Sequence, residues 1–95
     1  MVMSKSLGEC LRCIGVHAEE HVLIREIYES MIALKDWSLP QGGNGLPFCA
    51  HSIINRHDLV QLSYESSSSG TTRKVTFSPL GQALYDELTV YFAVA

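Results

Sequence analysis

Four side chains near the start of the chain have the residue types of a metal site. They are Cys10, Cys13, His17 and His21, in the pattern Cys-x2-Cys-x3-His-x3-His. Thiolate sulfur and imidazole nitrogen are the usual ligands of structural zinc. In one continuous helix the four would share a face, but the first and last would be separated by about 16 Å, too far for one tetrahedral ion. A turn at Gly15, or a dimer that supplies further ligands, would relieve this mismatch. We expect reduced cysteines packed near a helical interface, with no stoichiometric metal and no other cofactor.

The residue patterns of common enzymes are missing from the sequence. His17 and His21 flank Glu20 but do not form the His-Glu-x-x-His motif of zinc proteases. The glycines at positions 42, 43 and 45 are not followed by the lysine of a phosphate-binding loop. The cysteines have no recognisable nucleophile context. We therefore expect a binding protein rather than an enzyme.

Composition predicts a globular protein of one domain, residues 1–95. Of its 95 residues, 46% are hydrophobic and 18% are charged, which argues against global disorder. No apolar run approaches the roughly 18 residues that a membrane span needs. The N-terminal residues lack the apolar core of a signal peptide. The chain has 3 cysteines, an odd number, which favours reduced thiols over a disulfide framework. Together these features predict a cytoplasmic location and no membrane partner.

The charge distribution gives only a weak indication of nucleic-acid binding. The formal net charge of −3 argues against a protein that coats nucleic acid through bulk electrostatics. Residues 44–77, however, hold two acids (Asp58, Glu65) against three bases (Arg56, Arg73, Lys74), which gives a net charge of +1. The second half of the chain is therefore the candidate binding half.

Hydrophobic periodicity predicts two helices in the first half. Residues 7–14 predict a short helix that Gly15 bends or ends. Residues 16–34 predict an amphipathic scaffold helix, with the following residues near one face: Val16, Leu23, Ile27, Met31 and Leu34. The next segment, residues 35–45, contains three glycines and one proline, too many helix breakers for a long helix. We expect one helical turn near residues 37–39 or a loop, with Trp37 as a core plug beneath it.

The second half predicts a β-hairpin followed by a capped helix. Residues 59–64 and 73–77 alternate with period two, and Val75 and Phe77 share a face. The polar residues 66–70 predict the exposed tip of the hairpin. Ser78 is a favoured N-cap residue and Pro79 is favoured at the first position of a helix.

The order of an amphipathic segment, a hairpin and a capped helix resembles the winged helix-turn-helix superfamily, especially MarR-like and PadR-like bacterial regulators. In those families a recognition helix ends in a phrase such as charged-Gly-Leu-Val, and Leu-Thr-x-x-Gly opens the dimerisation helix after the wing. This chain has His-Asp-Leu-Val at residues 57–60 and Phe-Ser-Pro-Leu-Gly at residues 77–81. The resemblance covers about residues 44–90. It implies a winged-helix-like α+β fold, with helices around a small antiparallel β-hairpin sheet.

The resemblance also implies which residues would contact duplex DNA. The solvent face of segment 44–56 would read the groove and the wing, residues 60–77, would contact phosphates. The implied contacts are Asn44, His51, Ser52, Asn55 and Arg56 in the segment and Thr71, Thr72, Arg73 and Lys74 in the wing. Two alternatives stay open: residues 55–57 as a polar helix end, and the wing cations as a solvated strand edge.

Residues 84–95 are rich in apolar side chains, which predicts a homodimer. Leu84, Leu88, Tyr91 and Phe92 are the expected interface residues, since one small chain has many apolar groups to cover here. The leading function is a small DNA-binding transcriptional regulator. The alternative is an acidic, protein-binding winged helix, an adaptor or inhibitor of another protein. The absence of a second long helix and the negative net charge favour that alternative.

Overall fold

The computed structural model describes residues 3–35, 38–40, 53–68 and 70–93. Its elements, in chain order, are α1 (Lys5–Cys13), α2 (His21–Leu34), β1 (Ser38–Pro40), β2 (Val60–Ser67), β3 (Gly70–Phe77) and α3 (Pro79–Ala93). Helices surround a small antiparallel sheet, so the predicted α+β fold class is confirmed. No helix in the described part of the chain is both long and apolar enough to cross a membrane.

Local capping explains where α1 begins and ends. The Ser4 hydroxyl oxygen accepts a hydrogen bond from the Leu7 N–H at 3.1 Å, which satisfies one of the donors left open at a helix start. The same hydroxyl donates to Glu87 of α3 at 2.9 Å. After α1, Gly15 takes a φ of 74°, a conformation that favours glycine, and the chain turns. The predicted short helix that Gly15 ends is confirmed, although it begins two residues earlier than residue 7.

The scaffold helix α2 begins at His21, and the prediction that it begins at residue 16 is wrong. Residues 17–20 instead form a turn closed by side chains. The Glu20 carboxylate accepts from the His17 N–H at 2.9 Å, and His17 Nδ1 accepts from the Glu19 N–H at 3.3 Å. Val16 therefore belongs to the loop before α2, and its side chain is buried in the core.

The buried face of α2 also differs from the prediction at one position. Leu23 is 37% exposed, whereas Ile24 is buried in its place. The buried apolar residues of the helix are Ile24, Ile27, Met31 and Leu34. Their spacing of three and four residues is the ordinary period of a helix packed on one side.

The three strands form one antiparallel sheet in the order β1-β3-β2. The expectation of a helical turn or a loop at residues 37–39 is wrong for Ser38 and Leu39, which belong to β1 and pair with β3 in the register Ser38↔Lys74. Pro40 also belongs to β1 and is compatible with it, because an edge strand can leave a missing N–H on its outer side. Trp37 lies outside the described residues.

The hairpin of β2 and β3 is longer than predicted. Its pairs run from Val60↔Phe77 at the base to Ser67↔Gly70 at the tip. Three residues predicted in the tip therefore belong to the strands: Ser66, Ser67 and Gly70. The polar side chains near the tip are compatible with strand pairing, because an antiparallel hairpin can be exposed to solvent.

The junction between the hairpin and α3 is fixed by Ser78. Its hydroxyl accepts from the Gly81 N–H at 3.0 Å and donates to the carbonyl of Asp58. Its own N–H donates to the carbonyl of Leu59 at 2.9 Å. The predicted N-cap at Ser78 and first helical residue at Pro79 are confirmed. One serine therefore both starts α3 and closes the base of the hairpin.

The core gathers residues from every helix and from the base of the sheet. Its most deeply buried members include Leu7, Leu11, Ile24, Met31, Leu34, Ile53, Leu59, Val60, Leu84 and Leu88. Leu84 and Leu88 are fully buried within the single chain, so they are core residues and not dimer-surface residues. Tyr91 and Phe92 are half-buried and keep some accessible surface.

Gly81 allows α3 to pack directly on the chain that enters the hairpin. A Cβ at this position would lie 2.1 Å from the carbonyl oxygen of Leu59 and 2.9 Å from its carbonyl carbon. Both atoms belong to the backbone, so they cannot move aside as a flexible side chain can. A side chain at position 81 would force α3 away from the hairpin base.

We predict opposite effects for two glycine-to-alanine substitutions. Gly81→Ala should lower the free energy of unfolding by about 1 to 3 kcal/mol or more, because the new methyl group overpacks the contact with Leu59. Gly8→Ala in α1 should raise it by about 0.5 to 1 kcal/mol, since alanine is the better helix former and nothing lies within 4 Å of the added Cβ. Urea denaturation followed by circular dichroism measures both. Equal stability of the two variants would contradict the packing described for α3.

Candidate nucleic-acid interface

The end of the predicted groove-reading segment is a turn. Of segment 44–56, the structure describes residues 53–56, so Asn44, His51 and Ser52 lie outside the described residues. The Arg56 N–H donates to the carbonyl of Ile53 at 2.9 Å, which is turn geometry. The expected recognition helix therefore does not extend over residues 53–55. Asn55 is exposed on this turn, where its amide is accessible to a ligand.

Arg56 joins two distant parts of the fold. Its Nη2 donates to the carbonyl of Ile14, just after α1, and its Nε lies 3.9 Å from the Asp58 carboxylate. Carbonyls at a helix C-terminus carry partial negative charge, which a cation stabilises. The Arg56 guanidinium therefore holds the turn before β2 against the end of α1, and its implied role as a DNA contact stays a prediction.

Side chains alternate between the two faces of the hairpin. One face carries Val60, Leu62 and Tyr64 opposite Phe77, Val75 and Arg73; the other carries Gln61, Ser63 and Glu65 opposite Thr76, Lys74 and Thr72. Arg73 and Lys74 are neighbours in β3 and therefore point to opposite faces. The two cations among the four predicted wing contacts therefore do not form one patch. The side chain of Thr71 lies outside the described part of the structure.

The hairpin projects into solvent. Residues 61–66 of β2 are all exposed, as is Lys74, while Thr72 and Arg73 are half-buried. The two strands carry one acid, Glu65, and two bases, Arg73 and Lys74, so the local charge is +1. Among the described residues there are two salt bridges, Arg25 to Glu29 and Arg56 to Asp58, and neither involves a hairpin cation. Within the described part of the chain, neither cation is paired with an acidic side chain.

A cavity of about 300 Å³ lies beside Lys74, where the end of α2 meets β3 and α3. Its lining residues are Lys35, Lys74, Val75, Thr76, Phe77 and Gln82. The Lys35 ammonium lies 4.9 Å from the ring centroid of Tyr85, a cation–π contact. Tyr85 in turn packs against Phe77 at 5.5 Å between ring centroids. Lys35 was not among the residues predicted from the sequence, because its place at the lining of this cavity depends on the tertiary fold.

The four residues with metal-ligand chemistry lie around the end of α1. Cys10 is half-buried and Cys13 exposed, and both are free thiols. Burial raises the pKa of the Cys10 thiol and the nearby Glu87 carboxylate raises it further, so the thiolate form that binds metals is disfavoured. In the residues that the structure describes, no three His, Cys, Asp or Glu side chains are grouped as a metal site. The absence of a stoichiometric metal stays a prediction.

No protein-family model, curated protein or solved structure matches this chain. The candidate interface is therefore defined by geometry and charge. It consists of the exposed hairpin with one cation on each face, the exposed Asn55 on the turn that precedes it, and the cavity whose lining includes Lys35 and Lys74.

We predict that Arg56 acts on stability. Arg56→Ala removes the charged hydrogen bond to the Ile14 carbonyl and should lower the free energy of unfolding by about 1 to 3 kcal/mol. Asn55→Ala, an exposed neighbour on the same turn, should change it by less than about 0.5 kcal/mol. Chemical denaturation of both variants under identical conditions measures the difference. An Arg56→Ala protein as stable as the unmodified chain would contradict a framework role for this residue.

Proposed function

We propose that the protein is a small DNA-binding transcriptional regulator that acts without catalysis in the cytoplasm. The observation that carries the proposal is the solvent-exposed hairpin of β2 and β3, which has an excess of positive charge and cations without acidic partners among the described residues. Phosphate contacts of this kind supply affinity and fix the register of a protein on duplex DNA. The order of hairpin and capped α3 supports the winged-helix resemblance.

The opposite orientation of Arg73 and Lys74 favours a particular docking geometry. A two-stranded ribbon fits the major groove of B-DNA, which is about 12 Å wide. A hairpin that enters a groove edge-on presents one face to each phosphate backbone, so Arg73 contacts one strand and Lys74 the other. Asn55, exposed near the hairpin base, is then a candidate for pairing with a base edge. The roles of Asn44, His51 and Ser52 stay predictions.

We also propose that the regulator is a homodimer that associates through the outer surface of α3. Val90 is 63% exposed, and the neighbouring Tyr91 and Phe92 are half-buried. The rings of Tyr91 and Phe92 pack edge to face at 5.1 Å, and Phe92 stacks on Tyr28 at 5.0 Å. Val90 and the accessible parts of these rings would supply the apolar surface. A partner would bury it at low cost in side-chain entropy.

A second candidate function is binding to another protein, as an adaptor or inhibitor. The observation that favours it is the exposure of apolar side chains on the Arg73 face of the hairpin, where Tyr64 is 63% exposed and Leu62 36%. Tyrosine and arginine are enriched in protein interfaces. Such a partner would explain the negative net charge, which weakens non-specific attraction to nucleic acid. Titration with duplex DNA separates the two functions.

We predict that duplex DNA binding depends on the two hairpin cations and falls steeply with salt. Arg73→Gln combined with Lys74→Gln should weaken binding at all sequences alike and flatten the slope of log affinity against log salt by roughly two units per chain. Lys5→Gln is the control. It removes one positive charge from an exposed position in α1 and should leave the slope unchanged. Fluorescence anisotropy at several salt concentrations measures the slope.

The outcome of that titration decides between DNA and protein as the partner. Asn55→Ala should cost about 1 to 3 kcal/mol at one base position and relax the preference there, without a change in salt slope. Absence of binding to mixed duplex DNA at micromolar protein and low salt would remove the regulator proposal. Binding that the double substitution leaves intact would remove the hairpin from the interface.

We predict that the dimer is sensitive to charge on α3 and insensitive to charge on α2. Val90→Asp should convert the dimer to a folded monomer, since a buried unpaired carboxylate at an interface is costly. Val22→Asp is the matched control, because Val22 is 74% exposed on α2 and lies outside the proposed surface. Light scattering at tens of micromolar gives the mass. A monodisperse monomer for the unmodified chain would end the dimer proposal.

A further inference from the structure

We propose that the outer edge of β2 binds an extended segment of a partner protein, which adds to the sheet as a further antiparallel strand. The inference rests on the second candidate function, binding to another protein, and names the kind of partner. β2 lies at one edge of the sheet, in the order β1-β3-β2, and its residues 61–66 are exposed. Unpaired backbone groups along an exposed edge are a template for another strand.

The register shows which backbone groups of β2 face outward. The Ser78 N–H donates to the carbonyl of Leu59 at 2.9 Å, which makes these two residues a hydrogen-bonded pair at the base of the ladder. The pairing then continues residue by residue to the tip. Because hydrogen-bonded and non-hydrogen-bonded pairs alternate in an antiparallel ladder, Leu62, Tyr64 and Ser66 direct their N–H and C=O groups away from β3. Each of them offers a donor and an acceptor to a partner backbone.

The two edges of the sheet differ in their protection against such pairing. Short strands, proline, lysine and bulges are the usual devices that protect an edge. β1 has three residues and ends in Pro40, which has no N–H to donate. β2 has eight residues without proline or lysine, and its described pairs with β3 follow one another without a bulge. The long edge is therefore the one that is open to a further strand.

The charge of β2 favours a foreign strand over a second copy of this chain. Glu65 is the charged residue of β2, and neither of the two salt bridges found among the described residues includes it. A second copy of β2 has no base to place opposite Glu65 in any register, because its sequence VQLSYESS contains none. Oppositely charged residues that face each other across two strands stabilise the pairing. The partner strand therefore carries a lysine or arginine opposite Glu65.

The other face of β2 specifies apolar residues in the partner. Leu62 and Tyr64 share this face and are 36% and 63% exposed, whereas Ser63 lies on the Glu65 face. Cross-strand pairs of β-branched residues with aromatic or aliphatic ones stabilise a sheet. The partner strand therefore has β-branched residues opposite Leu62 and Tyr64 and a polar residue between them. It is an amphipathic extended segment, apolar on one face and basic on the other.

A capped peptide with the sequence Thr-Lys-Val-Thr-Val-Thr-Thr is the probe. In antiparallel pairing its lysine lies opposite Glu65 and its valines lie opposite Tyr64 and Leu62. NMR measures amide hydrogen exchange of the full chain. Without peptide, the amides of Leu62, Tyr64 and Ser66 should exchange fast, and those of Ser63 and Glu65, which bond to β3, slowly. Saturating peptide should slow the fast set about tenfold or more, because the partner backbone then protects them.

Backbone methylation of the peptide distinguishes strand addition from a simple apolar contact. An N-methyl group on the valine opposite Tyr64 removes a donor that faces β2 and should weaken binding about tenfold or more. The matched control carries the N-methyl group on the threonine opposite Ser63. This position is a non-hydrogen-bonded pair, so the methyl group points away from β2 and should leave the affinity unchanged. Equal affinity of the two methylated peptides would overturn strand addition.

Charge reversal tests the predicted base of the partner. Glu65→Lys should weaken binding of the lysine peptide by about two- to fivefold, and a peptide with glutamate in place of its lysine should restore the affinity. Glu26→Lys makes the same reversal at an exposed position of α2 and should bind the lysine peptide as the unmodified chain does. Failure of the glutamate peptide to restore the affinity would overturn the assignment of a base to the partner.

The remaining outcomes separate this inference from the proposed functions. Slow exchange of the Leu62 and Tyr64 amides without peptide, lost on dilution, would mean that a second copy covers the edge, and would overturn the foreign partner. Peptide-induced shifts of these two side chains without slower amide exchange would overturn strand addition but retain the second candidate function. Absence of any saturable shift would overturn the strand site, while DNA binding is decided separately by titration with duplex.

Discussion

The close approach of α3 to the turn before β2 is the constraint on which the rest of the fold depends. Gly81 lets the helix pack on the Leu59 carbonyl, and Ser78 bonds to both Asp58 and Leu59 from the same helix start. Arg56, at the beginning of that turn, is bonded to the carbonyl of Ile14 after α1. Four residues, 56–59, thus connect both terminal helices to the base of the hairpin. Because these contacts involve backbone atoms, they fix the direction in which the hairpin leaves the core.

Features governed by local rules could be predicted from the sequence. The serine and proline that start α3, the glycine that ends α1 and the alternation in the hairpin all act within a few residues. β1 could not be predicted in this way, because a three-residue strand that contains a proline is stabilised by its pairing with β3, which is distant along the chain. The start of α2 was misplaced because periodicity continues through residues 17–20, whereas side-chain bonds of His17 and Glu20 hold them in a turn.

The candidate site shows the same division. Arg73 and Lys74 were identifiable as hairpin cations from composition and strand pattern alone. The different contacts of Arg56 and Lys35 could not be identified in this way, because the partners of a cation depend on which residues the fold places near it. The nearest described partner of Arg56 is a helix-end carbonyl, while Lys35 meets an aromatic ring and the same cavity as Lys74. Charge counting treats these two residues alike, and the fold distinguishes them.

Because side chains alternate between the two faces of the hairpin, the register limits where residues can be inserted or deleted during evolution. Residues can be added or removed at the tip, beyond Ser67 and Gly70, without a change in what either face presents. One residue inserted between Phe77 and Lys74 would exchange the faces of Lys74 and Arg73 and turn polar side chains toward the rings on α3. Near the base, residues of the strands can be substituted, but only insertions or deletions of two residues keep each side chain on its face. Changes in the length of the hairpin should therefore be found at its tip, while the residues on each face keep their positions.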